Sequence, residues 1–367
     1  MTAVAVMAPP AAADAVRDEQ WWIDALELHR AHQITKGEGV VVGVIDTGVW
    51  AGHPDLQGAL VPGADFTSVQ KTKDGFVDTD GHGTGVTGMI VGRGHGGDRG
   101  LLGIAPEAKV MPLRYQASPG EGGPTAIGGN PDLAMRYAIE HGVDVVNMSF
   151  GTRDSWTLRE AVKAAAAADV VIVAASGNEP HTVDDLYPAA YPEVVAVGAT
   201  SRDGTLARFS VTGPQLDLTA PGADIVKLDN DDRDTGYRLS SGTSLAAPLV
   251  AGAAALVRAK FPDLSAAEVV HRLQATAVDK GAPGVDPEYG HGVIDIVAAL
   301  TADVPPMAAP TAAAAAAGPT AGAYVPQPPQ QPDRSGILLI GAGCLGITLL
   351  AGVGVAVWAV RRRRHAI

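Results

Sequence analysis

The sequence predicts an α/β domain with a central, mostly parallel sheet and helices on both faces. Three observations carry that expectation. Between Gly39 and Leu300 short apolar runs alternate with stretches of helical pattern, as in strands joined by crossover helices. The runs are apolar at nearly every position instead of every second one, which fits strands covered on both sides. Helix starts, finally, are marked by capping residues.

The strand-like runs are Val40 to Ile45 (VVVGVI), Val143 to Met148 (VDVVNM), Asp169 to Ala174 (DVVIVA) and Val194 to Val197 (VVAV). Asn130-Pro131 places a cap and a first-turn proline before LAMRYAIEH, which stops at Gly142. Thr157-x-x-Glu160 and Ser265-x-x-Glu268 have the spacing of capping boxes, in which hydroxyl and carboxylate each satisfy an otherwise unpaired N–H. The sequence has no internal repeat.

At 367 residues and 46% hydrophobic content the chain is long and apolar enough to bury a sizeable core. Its formal charge is −13, and residues 1–300 alone hold 22 basic against 38 acidic groups. Such a surface repels phosphate backbones, so no nucleic acid is expected as a partner. Cys344 is the single cysteine; an internal disulfide and a cysteine zinc site are both excluded.

Near the C-terminus, Ile337 to Val360 runs 24 residues without a charge, followed by Arg361 to Arg364. A helix of that length spans the roughly 30 Å hydrocarbon core of a bilayer. The arginines belong on the cytoplasmic side, so residues ahead of the span face outward. The expected organisation is therefore a truncated export signal or leader (1–15), an N-terminal extension (16–38), a folded body (39–302), a Pro/Ala-rich linker (303–335), a transmembrane helix (336–360) and a basic tail (361–367).

Chemistry enters at three polar islands, each at a strand end or helix start, where open α/β sheets place their sites. The first, Val44-Ile45-Asp46-Thr47-Gly48-Val49, delivers a carboxylate from an apolar strand into a turn. The second, Asp80-Gly81-His82-Gly83-Thr84-Gly85-Val86, sets a histidine between glycines at the start of a small-residue helix. The third, Ser240-Ser241-Gly242-Thr243-Ser244-Leu245-Ala246-Ala247-Pro248, is a hydroxyl-rich turn leading into LVAGAAALVRA. Alone, each reads as a turn, loop or cap. Together they supply Asp46, His82 and Ser244, in that chain order, as a catalytic triad.

With these islands stand HPDL at His53 to Leu56, GIAPEAKV, NMSFG, VAASGN, YPAAYPEVVAVGA, LTAPG and SGTSLAAPLVAGAAAL. On these strings the stretch from Gly37 to Leu300 resembles the subtilisin-like serine proteases, and within them the mycosins, membrane-anchored proteases of type VII secretion systems. The resemblance implies a three-layer subtilisin-like fold and a serine endopeptidase acting on proteins or peptides. It makes Ser244 the nucleophile, His82 the base and Asp46 its partner. It also puts the Asn178 amide beside the Ser244 N–H in the oxyanion hole, and Ser149, Phe150 and Gly151 on one wall of the substrate groove. Gly120 to Gly123 would form the other wall, and Leu186 the floor of the primary pocket.

Two departures accompany the resemblance: Gly85 stands where the family usually carries a second histidine, and the segment ahead of the body is short. Calcium is common in the wider family and Asp55 matches one ligand position, yet the loop GRGHGGDRG supplies no evident companions. No metal and no cofactor are expected, and His95 and Asp98 read as exposed loop residues. The partners implied are the substrate, a type VII secretion membrane complex and the membrane itself. The competing function is a stabilising subunit of such a complex, with proteolysis secondary. A nucleotide-binding protein is excluded by the lack of a G-x-G-x-x-G or P-loop lysine motif after a strand.

Overall fold

A computed structural model describes residues 15–68, 72–96, 99–117, 129–180, 186–230 and 236–307. Three short helices come first: α1 (Ala15–Glu19), α2 (Trp22–Ala25) and α3 (Leu28–Ala31). The body then runs β1 (Val41–Asp46), β2 (Ala64–Asp65), α4 (His82–Val91), β3 (Lys109–Arg114), α5 (Pro131–Glu140), β4 (Val145–Met148), α6 (Trp156–Ala167), β5 (Val171–Ala175), β6 (Val195–Thr200) and β7 (Leu218–Pro221). A hairpin follows, β8 (Ile225–Leu228) and β9 (Tyr237–Ser240), and then α7 (Thr243–Lys260), α8 (Ala266–Ala275) and α9 (Ile296–Thr301).

Seven strands form one sheet in the order β2-β3-β1-β4-β5-β6-β7, every neighbouring pair parallel. Side chains of one strand alternate between two cores. Val42, Val44, Val171 and Val173 enter the core shared with α4 and α7, whereas Ile45, Val146, Ile172 and Ala174 enter the core shared with α5 and α6. The sequence thus folds as the parallel, doubly covered sheet its patterning predicts. From β1 the chain runs out to the edge as β2, comes back beside β1 as β3 and crosses to the other side as β4, so the order reverses between β1 and β4. Such a reversal opens a crevice at the strand ends. The central helix, α7, is buried along nearly its whole length and rich in alanine and glycine, which lets it lie close against β4 to β7.

Two local expectations need correction. The helix placed after Thr157 begins earlier: Ser155 is its cap, in extended backbone, and accepts the Leu158 N–H, while Glu160 pairs with Lys163 at 3.0 Å. The Ser265–Glu268 box is formed as spaced. Strand β3 (KVMPLR) has no counterpart among the predicted runs, because Pro112 reads as a strand breaker. Its nitrogen faces Gly63, beside the two-residue β2, so the interior ladder to β1 loses no donor.

The N-terminal helices pack onto the body. Trp22, Leu28 and Ala31 are fully buried in the α4–α7 core. Gln20 donates to the Leu102 carbonyl at 3.0 Å and accepts its N–H at 2.8 Å; Arg17 reaches Gly100 O at 2.8 Å. Residues through Met307 make up one compact unit. Among the described residues no helix is long and apolar enough to cross a membrane; the expected leader, most of the linker and the span Ile337 to Val360 lie outside them.

Candidate active site

Asp46 closes β1 and is only 3% exposed. Its Oδ1 accepts the Thr47 N–H at 2.7 Å and meets Nδ1 of His82 at 2.7 Å. His82 is the first residue of α4. The turn ahead of it is fastened by the Asp78 carboxylate, which accepts the N–H groups of Asp80, Gly81 and Thr84 and the Thr84 hydroxyl. Gly83 allows the helix to seat on the strand end, since a Cβ there would stand 2.2 Å from Gly48 O. Its N–H donates to Thr47 Oγ1 at 2.9 Å. Burial by itself would lower the proton affinity of the His82 ring. The Asp46 charge and hydrogen bond outweigh it, and the pKa ends above the ordinary histidine value.

Ser244 lies in the first turn of α7, where backbone N–H groups have no partner within the helix. Four residues on is Pro248, which cannot supply the N–H that would close on the Ser244 carbonyl. That carbonyl instead accepts the Ser149 hydroxyl at 2.9 Å, and Ser149 Oγ is in turn met by Asn147 Nδ2 at 3.0 Å. The end of β4 is thereby tied to the serine.

Asn178 follows β5 through the turn Ser176-Gly177. Its Oδ1 accepts the Thr243 N–H at 2.9 Å and the Thr243 hydroxyl at 3.3 Å, and the same hydroxyl receives the Gly177 N–H at 3.2 Å. With Oδ1 so engaged, Nδ2 is the free donor. A Cβ built on Gly242 would stand 3.0 Å from Ser244 Oγ and 3.7 Å from Asn178 Nδ2, so these groups face one another across a bare glycine.

His82, Ser149, Phe150, Gly151, Asn178, Leu186 and Ser244 all line one cleft of about 270 Å³. The Ser149 hydroxyl is committed to Ser244, so what this residue offers the cleft is backbone. Phe150 is braced by Tyr115, ring centroids 4.4 Å apart. Leu186 is held by its neighbour Tyr187, which pairs with Thr152 through 2.6 and 3.1 Å backbone bonds. A second hollow of about 220 Å³ continues past His82, lined by Asp46, Thr47, Asp80 and Gln116. Gly120 to Gly123 lie outside the described residues.

Sequence reasoning passed over Thr243 and Asn147, whose side chains touch Asn178 and Ser149, and Asp78, which fastens the turn ahead of His82. Only the hydroxyl run at Gly242 to Ser244 hinted at one of them. His95 is an exposed loop residue as expected, but an anchored one: its Nδ1 meets the fully buried Asp55 at 2.7 Å, while Leu101 N and the Tyr237 hydroxyl donate to the other carboxylate oxygen. Asp98 lies outside the described residues. Asp55 is thus satisfied by hydrogen-bond donors, a poor fit to a calcium ligand, and no group of three or more metal-ligating side chains occurs among the described residues.

The chain belongs to the subtilase family: the family model matches residues 37–292. It is a serine protease of that family, similar to subtilisin DY of Bacillus licheniformis, at 38% identity over 72% of this chain and 92% of that protein. It is similar over more of its length to mycosin-1 of Mycobacterium tuberculosis, at 34% identity over 92% of this chain and 84% of mycosin-1. The solved structure of MycP3 protease from the type VII (ESX-3) secretion system superposes with a TM-score of 0.65 at 34% identity, covering 82% of this chain and 92% of that one.

Proposed function

We propose that the protein is a serine endopeptidase in which Ser244 Oγ attacks the peptide carbonyl, His82 takes its proton and Asp46 holds the ring. The observation that carries this reading is the 2.7 Å Asp46–His82 bond. It engages Nδ1 and leaves Nε2 for the cleft that Ser244 also lines. The collapsing tetrahedral intermediate takes the same proton back on its leaving amine, and water then hydrolyses the acyl-enzyme. Asn178 Nδ2 and the Ser244 N–H are the donors for the oxyanion. The substrate lies extended along Ser149 to Gly151, adding a strand by main-chain bonds.

The same proposal places the enzyme on the outer face of the cytoplasmic membrane, tethered by Ile337 to Val360 with Arg361 to Arg364 inside. It acts within or beside a type VII secretion machine, a role supported by similarity to mycosin-1 over most of the chain. The test is Ser244→Ala. Peptide hydrolysis and fluorophosphonate labelling are expected to vanish with expression unchanged; persistent labelling removes Ser244 from the role.

A further inference from the structure

Next to the turn that carries His82 the structure holds a buried lysine that the peptidase chemistry does not use. Lys227, on β8, is 7% exposed. Its Nζ donates to the carbonyl of Gly81, the residue just before His82, at 2.9 Å, and to Leu228 O at 3.2 Å. It reaches this position because residue 85 is glycine: a Cβ at Gly85 would stand 2.6 Å from Lys227 Cδ and 3.0 Å from Nζ. Gly85 also gives its N–H to the same Gly81 carbonyl, at 3.2 Å. A buried ammonium beside a helix N-terminus is electrostatically unfavourable on its own, since both carry positive charge.

We propose that Lys227 is a positioning residue for His82: in the space left by Gly85, its ammonium fastens the Gly81 carbonyl, fixes the first turn of α4 and brings a positive charge near the imidazole. The surroundings fit this role. Asp229 and Arg238 from the hairpin, and Asp78 and Asp80 from the turn, are the charged groups around the lysine. Asp229 is itself held by Arg238 at 2.7 Å. Around the imidazole, Asp46 and Asp80 favour the proton and Lys227 opposes it. The lysine therefore offsets part of the pull of two carboxylates and keeps the ring neutral, the form a base needs, down to lower pH.

The proposal rests on His82 being the base for Ser244, and two variants test it in the full chain. Lys227→Met removes donor and charge; Lys227→Gln removes the charge but keeps a donor for Gly81. For Met, kcat/KM on the alkaline plateau is expected to fall roughly tenfold through loss of alignment, and the acid limb to move to higher pH. For Gln, most of the plateau is kept and the acid limb moves the same way. An NMR titration of the His82 imidazole in a Ser244→Ala background, assigned by its absence in His82→Gln, should rise with either substitution. That readout needs no turnover, so failure of the triad reading and failure of this one are distinguishable. An unmoved limb and an unmoved titration overturn the proposal. Failure of both variants to fold overturns it equally, because the lysine would then be a strut of the core.

Discussion

The backbone N–H of Thr243 donates to Oδ1 of Asn178 at 2.9 Å, so the asparagine's free end is its amino group. The residue next to the candidate nucleophile therefore orients the candidate oxyanion donor. Asn178→Ala is expected to lower kcat by about 10²–10³ with KM little changed, a magnitude that itself comes from a subtilisin. Thr243→Val keeps the backbone donor but loses the hydroxyl shared by Gly177 and Asn178; its kcat should fall less, by roughly tenfold. Steady-state kinetics on a peptide substrate measure both, and an equal loss in the two variants would contradict the division of labour.

The raised proton affinity of His82 has two consequences of opposite sign. In the proposed mechanism the base must be the neutral ring, so kcat/KM should decline with falling pH already above the usual histidine pKa of about 6.5. Stability runs the other way. A histidine whose folded-state pKa is raised stabilises the fold fully below its unfolded value and loses that contribution as pH rises through the folded value. Thermal unfolding followed alongside activity should show part of the stability waning as the enzyme switches on, and His82→Gln should flatten that part.

Asp217 supplies a separate pH effect at the far end of the sheet. Burial pushes its carboxyl up to about 6, against hydrogen bonds from Ala196 N and Gln274 that favour the ionised form. Below the ordinary carboxylate pKa the folded and unfolded states are both protonated; as pH rises to about 6 the unfolded state ionises more easily, and stability falls. Asp217→Asn should remove this slope and gain about 1–3 kcal/mol at neutral pH. Denaturant titrations at pH 4, 5, 6 and 7 measure it, and parallel curves for the two proteins would refute it.

Topology is checked by a reporter fused after Ile367. In intact cells it is expected to be protected from added protease, whereas the body ahead of the linker is accessible. Digestion of the reporter would reverse the proposed orientation of the span and its arginines.

What the sequence disclosed depended on distance along the chain. Strands β1, β4, β5 and β6 were legible because burial on both faces writes itself as an unbroken apolar run. Pro112 hid β3, and the polar run YRLS hid β9, one arm of a hairpin outside the main sheet. The cap at Ser155 is masked by Thr157, which offers the more familiar spacing, although the chain becomes helical two residues sooner. At the site, Asp46, His82 and Ser244 sit in compact local motifs. The bonds that hold them do not: Ser149 to Ser244, Asn178 to Thr243 and Lys227 to Gly81 each join distant segments and exist only once the sheet is assembled.

The crevice between β1 and β4 is completed by α7, which enters only after every strand of the main sheet has been laid down. A nascent chain halted between His82 and Ser244 carries the candidate acid and imidazole but not the candidate nucleophile. If the proposed triad holds, the order of the polypeptide alone withholds hydrolytic power from partly synthesised molecules.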